Sequence, residues 1–424
     1  MSRLQHAAVL YGPKDLRLET RPIHPPQEGQ VQVAVVSTGL CGSDHHYYTH
    51  GRNGDFALKA PLVLGHEAGG VVTALGPGVS NVKVGQRVAI EPGIPCPSSS
   101  SPASQTKKCR YCVEGRYNLC VNMRFCSSAK TFPHLDGTLQ GFMNHPADRL
   151  FPLPDACSFD QAALAEPLSV VMHASRRADF VAGQSVIVFG VGAIGALACA
   201  LAKAQGAARV CAVDINQARL DFVKSRQFAD ETMCLPRGGG GAQVEDPIKR
   251  AAKTEIEIEI RAAKTANAAL AHFDQASGFD IVYECSGAEP CIQMGVYCAR
   301  PGGKLCLVGM GTPNLNMPLG AAALREVDVV GVFRYHDTWP SALQLLASGA
   351  LAGVEDLISH RLPLHRAREA FELVSKGVDA DGALVLKVLV SSQTTATRTR
   401  DDDAPYQRAA PASERALMAA CAME

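Results

Sequence analysis

The sequence carries no excess of either charge: Lys and Arg together number 41, and so do Asp and Glu, in 424 residues. This balance gives nothing that steers the protein toward nucleic acid or anionic lipid. The opening residues Met1-Ser2-Arg3-Leu4-Gln5-His6 lack the apolar core of a secretory signal. An uninterrupted bilayer-spanning run is missing as well. The nearest approach, Val186 to Ala202, contains Gly190, Gly192 and Gly195 and switches from β-branched residues to Ala and Leu. It therefore reads as a buried strand, a turn and a buried helix, not a membrane span. The 15 cysteines suggest no disulfide framework, because their spacing fits metal ligation plus scattered thiols such as Cys199, Cys211 and Cys306 inside apolar runs. A reducing, cytoplasmic setting with no membrane or nucleic-acid partner is expected.

What is present points to two domains. A hydrophobic fraction of 47% supports substantial cores at this length. Up to about residue 168 the chain shows short β-branched runs punctuated by Gly and Pro, such as Val31–Val36, Gly70–Thr73 and Gln86–Ile90, which predicts a strand-rich, barrel-like domain. Across residues 169–335, strands alternate with Ala/Leu-rich helices. Strands are expected at Val186–Gly190, Arg209–Val213, Thr232–Leu235, Ile281–Glu284, Lys304–Gly309 and Asp328–Phe333, giving a doubly wound parallel sheet in an α/β fold. Residues 336–390 read as helix (Trp339–Ser348), helix (Leu364–Ser375) and strand (Ala383–Val390), and are expected to return to the first domain. The Glu/Ile alternation of Thr254–Ile260 allows a strand while its Ala/Lys-rich flanks favour a helix. Residues 391–424, rich in Ser, Thr, Ala and Arg, read as a disordered tail.

Three motifs carry chemistry. Cys41-Gly42-Ser43-Asp44, Gly65-His66-Glu67 and Glu166-Pro167-Leu168 offer a thiolate, an imidazole and a choice of carboxylates, the set for a zinc that keeps one position open to water or substrate. Glu67 is read as the third ligand and Glu166 as the group that holds water or substrate, with the reverse assignment open. Gly190-Val191-Gly192-Ala193-Ile194-Gly195 follows a strand and opens a helix, as a dinucleotide-binding turn does. Gly190 permits the tight turn, Gly192 lets the pyrophosphate approach, and Gly195 lets the helix pack. Asp214 ends the next strand, placed for the adenine ribose and against a 2′-phosphate, which favours NAD; nearby Arg219 weakens that preference. The third set, Cys96, Cys109, Cys112 and Cys120, has the spacing of a closed four-thiolate zinc, provided the residues after Cys96 loop out; Cys126 is a substitute for Cys96. Arg334-Tyr335 ends the sixth strand, and His46-Tyr47 follows the Cys41 loop. Together these side chains could hydrogen-bond a substrate with several hydroxyls.

These stretches, with Cys109–Cys120, Glu166–Val170 and Gly331–Tyr335, resemble the zinc-containing medium-chain dehydrogenases, and among them the sorbitol (polyol) dehydrogenase branch, over His6 to Val390. The resemblance implies a GroES-like β-barrel catalytic domain, a Rossmann coenzyme domain and a homotetramer. It implies Cys41, His66 and Glu67 as catalytic zinc ligands, with Glu166 where alcohol dehydrogenases place a cysteine. It implies Tyr47, Glu166, Arg334 and Tyr335 on the substrate side. Toward NAD it implies Ile194, Asp214, Arg219, Val308, Gly309, Met310, Val332, Phe333 and Arg334. The expected reaction oxidises a secondary hydroxyl of a polyol of the sorbitol, xylitol or arabinitol type to the ketose, with hydride passing to NAD. Ser43, or a water held by Glu166, starts the proton toward solvent by way of His46. A threonine or simple alcohol dehydrogenase, a zinc-free quinone reductase and a non-catalytic NAD- or zinc-binding redox sensor are the competing readings. The insert after Cys96 and the long 237–276 region depart from the family pattern.

Overall fold

A computed structural model describes residues 3–96, 108–236 and 255–392, with the side chains of 255–260 left undescribed. The chain divides into two compact units, residues 1–169 with 335–424 and residues 170–334, and the division falls within the helix Phe159–Arg177. Among the described residues no helix is long and apolar enough to cross a membrane.

The first unit is built on the strand Gln30–Gly39, whose alternating Val31, Val33 and Val35 are fully buried. One edge of this strand pairs with Glu67–Leu75, which continues to Arg87–Ile90 and Leu150–Pro152. The other edge is shared, with Phe142–Pro146 along its first half and Lys387–Ser391 along its last three residues. The last strand also pairs in parallel with Ile358–Pro363, so the C-terminal segment completes the sheet. A separate hairpin, Leu4–Gly12 with Asp15–Pro22, turns through Pro13 and Lys14, and Lys14 takes a left-handed φ of 62°. The core beneath these strands includes Val9, Leu10, Leu62, Leu64 and Val388, with Tyr48 stacked on Phe371 at 4.8 Å between ring centres. Burying side chains of this size contributes about 1.5–3 kcal/mol each.

The second unit is a six-stranded parallel sheet in the spatial order Glu231–Cys234, Arg209–Asp214, Ser185–Phe189, Phe279–Glu284, Ala299–Leu307, Asp328–Gly331. Counted along the chain this is 3-2-1-4-5-6, the order that places a topological switch point at the end of the first strand, where Gly190 lies. Ile187, Phe189, Val282 and Leu305 bury their side chains in one core with Phe273, Ile292 and Val296 from flanking segments. The Thr254–Ile260 ambiguity resolves toward helix, since Glu255–His272 is one continuous helix. Its Ala262, Ala266 and Ala269 are buried at helical spacing, so the Ala-rich flank outweighs the short Glu/Ile alternation. The Arg237–Gly241 stretch, the insert residues 97–107 and the tail beyond residue 392 lie outside the described residues.

Candidate metal and coenzyme sites

The first site begins with helix capping. Cys41 is the N-cap of the helix Gly42–His50, and Asp44, three positions on, accepts the Cys41 backbone N–H at 3.2 Å. This is the backward arm of a capping box, and it fixes the loop that carries the thiol. The other oxygen of Asp44 accepts from Gly65 N at 3.3 Å, from Ser127 Oγ and from Nδ1 of His66 at 3.2 Å. A ring that donates through Nδ1 presents Nε2 as the free ligand nitrogen, so one fully buried carboxylate orders two ligand-bearing segments. Burial would lower the His66 pKa, but Asp44 and the Cys41 sulfur outweigh it and hold the imidazole well above its ordinary value. Asp44 lies below the usual carboxylate range despite its burial, because His66 and Ser127 stabilise its charge.

Glu67 opens the next strand directly opposite Gly39. A Cβ on Gly39 would overlap Glu67 Oε2, so the missing side chain is what leaves a seat for the carboxylate. Lys387, the first residue of the last strand, grips that carboxylate through Nζ at 2.8 and 2.7 Å and also donates to Leu40 O at 3.2 Å. Burial would lower Lys387, yet Glu67 keeps it above the ordinary lysine value. Ligand atoms of Cys41, His66 and Glu67 all lie within 4.8 Å of one another. Glu166 is not in this group. Burial, with Glu67 nearby, raises its carboxyl to about 7 against the stabilising pull of His66 and the Tyr335 hydroxyl. The geometry therefore favours Glu67 over Glu166 as the third donor.

The remaining predicted side chains around this site differ in exposure and partners. Ser43 is half-buried and His46 exposed on the same helix, and His46 lies below the ordinary imidazole value through partial desolvation and neighbouring His50. Tyr47 sits in the hydrophobic core, its hydroxyl accepting the Ala129 N–H at 2.9 Å. Tyr335 is buried and packs edge-on against Trp339.

Cys96, Cys109, Cys112 and Cys120 form the second metal-capable group among the described residues. All four are free thiols, with Sγ···Sγ separations of 3.5 Å for Cys96–Cys120 and 3.8 Å for Cys109–Cys120. The edge of a tetrahedron of sulfurs bound at ~2.3 Å is about 3.8 Å, so the quartet fits a closed zinc site. Hydrogen bonds from backbone N–H groups lower Cys109 to about 6, whereas burial raises the Cys112 and Cys120 thiols, which a bound zinc would hold deprotonated. Cys96 therefore joins the group across the insert. Cys126, the proposed substitute, is instead buried in the strand core with its N–H on Pro92 O, and its thiol is pushed up to about 12 by burial.

In the second unit Gly190 takes a left-handed φ of 82°, and a Cβ there would meet Ser286 at 2.8 Å. Gly192 caps the helix Ala193–Ala204; a Cβ there would meet only Arg219 Nη1, at 3.9 Å, so the space over the helix N-terminus is open. Gly195 lies so close to Gly190 O that any side chain would overlap it. An open cradle facing the free N–H groups of a helix start suits a pyrophosphate. Asp214 accepts from Val191 N at 2.7 Å and Asn216 N at 2.9 Å, with Arg219 Nη1 at 4.0 Å. Ile194, Val308 and Gly309 are half-buried and Met310 is exposed. Val332, Phe333 and Arg334 follow the sixth strand, and the Arg334 guanidinium lies 4.9 Å from the centre of the Phe333 ring.

Sequence reasoning missed Lys387, Ser127 and Glu284. Glu284 is fully buried at the end of the fourth strand and accepts from Ser286 N at 2.8 Å and Gly287 N at 3.0 Å, shaping the turn that faces Gly190 and Gly309. A lysine in an apolar strand, Leu386-Lys387-Val388, was the available signal, since an unpaired charge is rarely buried.

Comparison with known proteins agrees with this assembly. Residues 27–155 match the alcohol dehydrogenase GroES-like domain family, and residues 193–348 match the zinc-binding dehydrogenase family. Sorbitol dehydrogenase of Mus musculus is 42% identical over 370 residues, which cover 87% of this chain and 92% of that protein. Sorbitol dehydrogenase of Homo sapiens is 41% identical with the same two coverages, 87% and 92%. Among solved structures, L-idonate 5-dehydrogenase from Escherichia coli is similar with a TM-score of 0.74 at 28% identity, covering 92% of this chain and 99% of that one. The 2R,3R-butanediol dehydrogenase from Bacillus subtilis gives 0.70 at 25% identity, with 92% and 100% covered. With a GroES-like unit, a Rossmann unit and relatives matched along nearly their whole length, the chain belongs to the zinc-containing medium-chain dehydrogenases, in the sorbitol dehydrogenase branch.

Proposed function

We propose that the protein oxidises a secondary hydroxyl of a polyol of the sorbitol, xylitol or arabinitol type to the ketose, with NAD as hydride acceptor. The observation that carries this reading is the convergence of Cys41, His66 and Glu67 with a buried, near-neutral Glu166 beside them. When bound by Cys41, His66 and Glu67, zinc supplies a Lewis acid that makes a hydroxyl more acidic, and NAD on Gly190–Gly195 supplies the acceptor carbon. Asp44 keeps the His66 ring in one tautomer and orientation. Lys387 keeps the Glu67 carboxylate on its glycine seat. Glu166 takes up the hydroxyl proton at its carboxylate, and the Tyr335 hydroxyl stabilises the charged form that receives it. Ser43 and His46 provide the onward route to solvent. Tyr47, Tyr335 and Arg334 are assigned to the substrate side. Asp214, which faces the helix start with its carboxylate, selects NAD against NADP. The four thiolates hold a second, structural zinc.

A homotetramer in the cytoplasm completes the reading. The experiment is a panel of sorbitol, xylitol, arabinitol, threonine and simple secondary alcohols with NAD and NADP, run before and after chelation with zinc content measured. Polyol turnover that disappears with the catalytic zinc is expected. Turnover unchanged after proven metal removal, or preference for threonine or simple alcohols, overturns it.

A further inference from the structure

The reading above leaves the cysteine lobe with only a structural duty, but one side chain reaches from it toward the substrate-side turn. Tyr117 lies between Cys112 and Cys120 in sequence and begins the short 3-10 turn Tyr117–Leu119, which Cys120 caps. Its hydroxyl donates to the buried Glu91 carboxylate and accepts the Asp337 N–H at 3.0 Å. Arg149 secures the arrangement from below: its guanidinium lies 5.0 Å from the Tyr117 ring centre and bonds Glu91 Oε2 at 3.2 Å. The His336 ring meets Tyr117 edge-on at 6.1 Å.

Asp337 needs such a hold. It adopts a left-handed φ of 50°, which residues other than glycine take only at a cost. A cavity of about 390 Å³, lined by Tyr117, Arg149, Asp337 and Trp339 among others, adjoins it, so close packing does not fix the turn on that side among the described residues. Two residues earlier is Tyr335, whose hydroxyl lies close enough to Glu166 to favour its charged form. On its far side the turn is anchored apolarly, Tyr335 against Trp339 at 5.9 Å and Trp339 stacked on Phe151 at 5.7 Å.

We propose that Tyr117 is a positioning residue, through which the metal-organised cysteine lobe holds the 335–337 turn and so aims Tyr335 at Glu166. The inference rests on the polyol dehydrogenase reading for its kinetic consequence but not for its structural one. Folding of the thiolates around zinc fixes the Tyr117 turn, the phenol fixes Asp337, and Asp337 fixes the direction of Tyr335.

The test uses the full-length zinc-loaded protein and the substitution Tyr117→Phe, which keeps the ring and removes one oxygen. Hydrogen–deuterium exchange should rise in peptides covering residues 333–340, with two zinc ions per chain retained. For polyol oxidation KM should rise roughly 3- to 10-fold, the range for one lost hydrogen bond, with kcat within about twofold. In a double-mutant cycle the effect of Tyr117→Phe should vanish when Tyr335→Phe is already present. Cys112→Ser, which opens the thiolate site, should reproduce the exchange signature while leaving one zinc per chain. Unchanged exchange at 333–340 in both variants, or full additivity of the two tyrosine substitutions, overturns the proposal. A protein that oxidises no polyol but shows the exchange change refutes the function and leaves the coupling standing.

Discussion

Lys387→Met separates the metal-free and metal-loaded states of the catalytic site. Lys387 and Glu67 are both buried, and the ammonium contacts both carboxylate oxygens as well as Leu40 O. Removing one partner of such a pair leaves an uncompensated charge and costs about 3–5 kcal/mol. Methionine keeps the length of the side chain, so little of this cost is a packing loss. In the metal-free protein a loss of about 3 kcal/mol would lower the melting temperature of the unit by roughly 6–12 °C. A bound divalent cation replaces the missing positive charge at Glu67, so the loss should shrink when zinc is present. Whatever part of the penalty zinc relieves reappears as affinity: 3 kcal/mol corresponds to about a hundredfold tighter binding. Calorimetry of the metal-free and loaded forms, with zinc affinity from competition against a chelating dye, measures both halves. An equal drop in melting temperature in the two forms, with unchanged zinc affinity, would refute the claim that Lys387 acts through the Glu67 charge.

Gly39→Ala places a methyl group on the Glu67 seat; zinc content should fall from two to one per chain while the thiolate zinc remains, as metal analysis would show. Glu166→Gln removes the proposed proton acceptor and should lower kcat by about 10²- to 10⁴-fold. With its carboxyl near 7 in the wild type, activity should rise with pH through that region as the group ionises, and the glutamine variant should lose this rise. His145 is buried with its Nε2 on Glu91 O, and burial depresses it to about 4. The unfolded chain then binds a proton that the folded chain refuses, so stability is full above about 6.5 and falls by about 3 kcal/mol as pH drops through 4. His145→Gln should flatten that part of the acid denaturation curve, and an unchanged curve would show that His145 is not buried neutral.

Much of this was legible because the chemistry-bearing residues sit in local motifs. Gly190, Gly192 and Gly195 each have a backbone reason to be glycine, and the spacing of Cys109, Cys112 and Cys120 is set by one short helix and one tight turn. The parallel strands were found to within a few residues because a fully buried strand is a continuous apolar run between turn signals. Partners distant in sequence were not legible. Glu67 finds Lys387 across 320 residues, and Asp44 finds Ser127 across 83, through sheet register and loop packing that no local pattern encodes. The choice between Glu67 and Glu166 had the same origin, since only the Gly39 seat and the lysine grip distinguish them. The Glu/Ile run before Arg261 was ambiguous because its short alternation fits either period; the buried alanines that decide it come later in the helix.

The strand Lys387–Ser391 carries a temporal implication. A ribosome delivers Cys41, His66 and Glu67 well before the ammonium group that quiets Glu67, which follows 320 residues later. Until then the nascent sheet has an open edge along Ser37–Gly39 and an acid on Gly39 without its cation. A divalent ion available during translation can therefore meet this carboxylate before its competitor exists, so the order of emergence itself favours loading the centre over leaving it empty.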